Sequence, residues 1–258
     1  MLRTWVLALL LVTLPLQGAP LPYTFPHAPD AQPLSARIPP PPGAQRVSLP
    51  ERSFGAFLRH LPLLPAGSEV LLFDGSRKAR QDVHAAVVDL DVGRRDLQQC
   101  ADAAMRLWAE YLFALGQPER IRFHPDPGRP RELAFAGGRD RKRLERFLVR
   151  VFAEAGSASL ERELRPVGTS PIEPGDVIIQ GGYPGHAVVV LDVAEGNGRR
   201  FLLLGQSFMP AQQFHVLNNL SNPELSPWYD AADLDSKAGL QTPEWRPFFR
   251  RDVRRFGG

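Results

Sequence analysis

The chain has 258 residues, of which 43% are hydrophobic and 23% charged, so wholesale disorder is excluded and a sizeable core is within reach. Net charge is +3, with Lys only at Lys78, Lys142 and Lys237 and Arg making up the rest of the basic residues. No nucleic-acid module accompanies that near-balanced charge, and the lone Cys100 excludes a disulfide framework or a Cys-rich zinc site.

In chain order, Arg3, an apolar run from Trp5 to Leu16, and the small residues Gly18 and Ala19 have the layout of a secretory signal peptide over residues 1–19. Export to the periplasm or the extracellular space is the expectation. Residues 20–50 are rich in proline, with four in a row at Pro39–Pro42, and read as an extended spacer. Residues 51–258 are expected to form a single domain. Phe54, Phe57, Leu58 and Leu61 suit a short amphipathic helix stopped by Pro62. The segment EVLLFDG reads as a strand running into a turn at Asp74–Gly75, and DVHAAVVDLDV as another strand.

The strongest helix signal runs from Asp96 to Leu115. Asp96 is placed to cap it, with Gln99 three residues on, and Gly116 and Pro118 stop it. A second helix is expected over Arg139–Ala155. After Pro174 the runs GDVIIQGG, GHAVVVLDVA and RRFLLLGQS read as strands punctuated by Gly and Asn. The aromatic tail, with Trp228, Tyr229, Trp245, Phe248 and Phe249, is expected to fold back onto the domain. Helices followed by a mostly antiparallel sheet define an α+β class.

Cys100 falls in the first turn of the strongest helix, where the helix dipole and N–H donors favour a thiolate, with Arg94 and Arg95 close in sequence. His186 sits where a Gly-rich turn enters the most apolar strand, and Gln206 ends the next strand in a position to orient an imidazole. His84, Asp89 and Asp91 do not share one strand face, so no metal set is assigned, and no cofactor is expected. The arginines of 139–146 and 250–255 read as solvated faces. Interleaved with Phe248, Phe249 and Phe256, the second run also suits peripheral contact with an anionic membrane surface.

Three long strings, VHAAVVDLDVGRRDLQQCADAAMRLWAEYLFALGQ, GDVIIQGGYPGHAVVVLDVA and LLLGQSFMPAQQFHVL, together with SPWY, resemble an uncharacterised bacterial family, the domain of unknown function 4846, over Phe54–Phe256. More distantly, Gln99–Cys100 opening a helix and the later GHAVVV are similar to CHAP amidases and NlpC-type endopeptidases of the papain-like superfamily. That resemblance implies a papain-like fold and a cysteine hydrolase acting on an amide bond, with cell-wall peptide or another envelope component as partner. It assigns Cys100 as nucleophile, His186 as base, Gln206 as the orienting group and Gln99 as an oxyanion donor. Gln stands at the third position, where those families carry His, Glu or Asn. The different-class alternative is a non-catalytic envelope binding protein that keeps the fold and uses Trp228, Tyr229 and Phe208 as an aromatic groove. Composition does not fix the oligomeric state.

Overall fold

The computed structural model describes residues 20–126, 128 and 132–257. The expected signal peptide, residues 1–19, lies outside the described residues. Nine strands form the central sheet: β1 (Gln45–Arg46), β2 (His84–Val87), β3 (Arg165–Pro166), β4 (Val177–Gln180), β5 (His186–Gly196), β6 (Arg199–Gln206), β7 (His215–Leu217), β8 (Trp228–Asp230) and β9 (Val253–Arg255). Their main order is β2-β7-β6-β5-β4-β9-β3, with β8 also on β6 and β1 also on β5, and every pairing is antiparallel. Helices α1 (Phe54–Arg59), α2 (Cys100–Leu115), α3 (Arg141–Glu154) and α4 (Ser157–Glu163) complete the frame, with one further helical turn at Leu34–Arg37. The class is therefore α+β, as the order of signals in the sequence implies.

The β5–β6 hairpin is the backbone of the sheet. Asn197 and Gly198 both have positive φ (53° and 72°), the conformation that a tight hairpin turn needs and that these two residue types tolerate best. Between Leu203 and Leu204 the register slips: Asp192 faces Leu203 but Val190 faces Leu204, which leaves Leu191 as the extra residue of a bulge. Both faces of the sheet are covered. Ala187, Val189, Leu191, Leu203 and Val216 pack towards α1 and α2, while Val188, Val190, Leu202, Leu204 and Val253 pack under Tyr229 and Phe248 of the returning tail. That double burial is why the run AVVVL lacks alternation.

Helix α2 is buried along most of its length and lies against β5. It starts at Cys100, not at Asp96. The Asp96 carboxylate accepts instead from Gln99 Nε2 (3.0 Å) and from the backbone N–H of Ala211 (2.7 Å), tying two loops together. Gln99 takes the cap position, and its backbone N–H donates to Asp102 Oδ2 at 3.0 Å. Gly116 ends the helix at φ +81°, where an L side chain would be strained. Ser53 caps α1 and Asp140 caps α3 through their side chains, so α3 is two residues shorter at its start than the sequence pattern implies. The segment EVLLFDG is not a strand; it forms a turn at Asp74–Gly75 with isolated bridges from Leu71 and Leu72.

Residues 20–50 are not a spacer. Leu21, Phe25, Leu34 and Ile38 are buried in the helix-side core. Gln32–Pro33 pairs with Pro62–Leu63, and β1 adds to the edge of β5. Arg46 and Arg59 together neutralise Asp192, which is fully buried, at 2.6 and 2.7 Å. Proline-richness signals extended backbone correctly, but the apolar residues between the prolines are spaced to reach the core, so the segment is a strap. No helix among the described residues is long and apolar enough to cross a membrane.

Candidate functional site

The start of α2 meets the start of β5. Cys100 is the first helical residue, and its Sγ lies 4.0 Å from the carbonyl oxygen of Gly185. The thiol thus packs against the backbone just before His186, on the α2 side of the sheet, while the His186 ring lies on the other face with Trp245 and Phe248. The His186 ring is fully buried. Its Nε2–H donates to Gln206 Oε1 at 2.8 Å, across the β5–β6 pair. Nδ1 is buried and has no hydrogen-bond partner. Thus Gln206 takes one ring nitrogen and leaves the other with its lone pair free.

Four groups, Glu244, Lys78, Trp245 and Phe208, fix this arrangement. Gln206 Nε2 donates to Glu244 Oε2 at 2.9 Å, which orients the amide so that its oxygen faces the imidazole. Glu244 in turn pairs with Lys78 Nζ at 2.6 Å, both side chains nearly buried. Trp245 packs on the His186 ring with centroids 5.0 Å apart and donates Nε1–H to Gln180 Oε1. Phe208 meets the same ring edge-on at 5.0 Å, beneath Lys78. The only signals in the sequence were a polar pair, Glu244–Trp245, inside an aromatic tail and an isolated Lys in an arginine-rich chain.

Burial sets the charges. It pushes the Cys100 thiol up to about 11, with Asp102 nearby adding to the rise and the Ala187 N–H opposing it. It pushes His186 down to about 4, only partly offset by Gln206. The resting pair is a neutral thiol and a neutral imidazole. The thiolate expected from the helix dipole is corrected here: at this depth the loss of hydration outweighs the dipole.

Cys100 lines a surface recess of about 320 Å³ together with Gln99, Asp102, Ser157, Tyr183 and Met209. Gln99 is thus beside the thiol, with one of its two amide N–H donors already given to Asp96. Asp102 keeps Oδ1 without a partner, and burial pushes its carboxyl well above the usual carboxylate range. Trp228 and Tyr229 lie elsewhere and are buried. They are adjacent residues of β8 that point to opposite faces of the sheet, where Trp228 Nε1 donates to Pro39 O at 2.8 Å and Tyr229 Oη to Asn218 O at 2.6 Å. Phe248 and Phe256 are buried as well, whereas Phe249 is half-buried beneath the Arg251 guanidinium.

A helix that opens on cysteine, packed on one face of an antiparallel sheet that buries a His186–Gln206 pair on its other face, defines this α+β protein. The family model described as "Domain of unknown function (4846)" matches residues 34–135 and 132–255, and the chain belongs to that family. The match begins inside the strap, consistent with its place in the core. No curated protein and no solved structure matches the chain.

Proposed function

We propose that this chain is an exported cysteine hydrolase of papain-like design, in which Cys100 attacks an amide carbonyl, His186 is the base and Gln206 holds the ring. The observation that carries the reading is His186: Nε2 is committed to Gln206 and Nδ1 is left buried without a partner, while Cys100 Sγ lies 4.0 Å from the carbonyl oxygen of the preceding residue, Gly185. In that tautomer Nδ1 accepts the thiol proton as Sγ adds to the carbonyl carbon and returns it to the leaving amine; water then hydrolyses the thioester. Because both groups rest neutral, proton transfer accompanies attack and does not precede it. The recess over Sγ admits the substrate, and cell-wall peptide is the envelope amide that export would bring within reach. The Arg3–Leu16 layout supports export.

The second reading is a non-catalytic binding protein that retains the fold. The high thiol pKa favours it, since an inert core cysteine behaves in that way. Alkylation separates the two. With imidazole assistance, the rate of Cys100 labelling by iodoacetamide levels off above about pH 5 and falls by about 100-fold or more in His186→Gln. A rate that climbs tenfold per pH unit up to pH ~9, unchanged in His186→Gln, establishes the binding reading instead.

A further inference from the structure

A second cleft opens beside the Cys100 recess and shares two of its walls, Leu97 and Phe152. Its volume is about 100 Å³, enough for about three waters or the end of one polar side chain. Leu148, Val149 and Phe152 of α3 supply an apolar wall. Four arginines and two acids also line it. Both acids are already matched: Asp91 by Arg106 at 2.6 Å, and Glu145 by Arg141 at 3.0 Å. Arg141 and Arg106 also share Glu110, which is buried at the back. Arg94 and Arg95 are left over. Both are exposed, and among the described residues neither side chain makes an ion pair or a hydrogen bond.

We propose that this cleft is a subsite for a carboxylate-bearing side chain, and that the partner lying in the joined groove is an acidic peptide. Two unmatched guanidinium groups beside an apolar wall suit the two ends of a glutamate: methylenes against Phe152 and Val149, carboxylate against Arg94 and Arg95. The small volume admits a side-chain end and no more, while the continuity with the recess places the rest of the peptide over Cys100. The inference deepens the reading of Cys100 as a nucleophile, but binding at the cleft is measurable without turnover.

The test uses the full chain carrying Cys100→Ala and titrates two isosteric peptides by calorimetry, Ac-Ala-Glu-Glu-Ala-NH2 and Ac-Ala-Gln-Gln-Ala-NH2. The glutamate peptide binds about fivefold tighter or better at low salt, and the preference shrinks at about 0.3 M salt. In Arg94→Gln/Arg95→Gln the two peptides bind alike, with the melting curve unchanged because both arginines are exposed and unpaired. Equal affinity for the two peptides, a preference that survives the double substitution, or no binding of either up to ~10 mM overturns the subsite. Because the background lacks the thiol, a failed alkylation test leaves this result standing, and the converse holds too.

Discussion

Leu34→Ala in the full chain tests whether the strap is structural. Leu34 is fully buried among the helix-side core residues, and its backbone N–H donates to Leu61 O at 2.8 Å. Truncating a leucine at such a site costs about 2–5 kcal/mol, from lost transfer energy and from the cavity left behind. For a chain of this size that lowers the melting midpoint by about 4–20 °C. A substitution on a solvated spacer would cost no more than ~0.5 kcal/mol. A chain starting at Glu51 loses Leu21, Phe25, Leu34 and Ile38 together, each worth about 1.5–3 kcal/mol of burial. That sum is comparable to the whole stability of a typical domain, so the shortened chain is expected not to fold cooperatively. Circular-dichroism melts of the three proteins decide the matter. A shift below about 1 °C for Leu34→Ala, with the Glu51 start melting normally, would refute the strap.

Asp192→Asn removes the charge that holds Arg46 and Arg59 and leaves two mostly buried guanidinium groups without their counter-ion, at a cost of about 3–5 kcal/mol read from urea unfolding; a loss under ~1 kcal/mol would mean that the cluster is solvated. Acid sensitivity is the third expectation. Burial holds His186 at about 4 and His215 at about 3, so as pH falls below ~6.5 the unfolded chain takes up protons that the folded chain refuses, and stability drops. Between pH 6.5 and 4.5 each histidine removes about 2 kcal/mol. The buried Asp102, pushed up, acts in the opposite sense, so the comparison of wild type with His215→Gln isolates one group: the variant loses less on acidification by about that amount, and equal slopes would show that His215 titrates normally.

The sheet was readable because its strands carry dense β-branched runs and its hairpin carries Asn197–Gly198. The ends of α2 were half readable. Gly116 is a local signal, because positive φ is a property of one residue. Asp96 failed as a cap because its carboxylate is claimed by Ala211, a contact that local spacing does not encode. The strap failed for a related reason: proline density masked four well-spaced apolar residues. His186 and Gln206 were legible as candidates because strand starts and ends are local features. Their clamp was not, since Lys78 and Glu244 lie far apart in sequence and meet only through the closed tail. Trp228 and Tyr229 were misplaced because aromatic clustering is the same whether the rings face water or a core.

The clamp also orders events in time. Gln206, Glu244, Trp245 and Phe248 surround an imidazole that is itself made earlier, at His186. As the chain emerges N-terminus first, the helix bearing Cys100 and the strand bearing His186 are available to pack before the residues that lock the ring exist. Until the segment from Glu244 onward arrives, Gln206 lacks its anchor and the imidazole is free to turn. The ring is therefore fixed only in a finished chain, and a copy cut before Glu244 keeps His186 without its clamp.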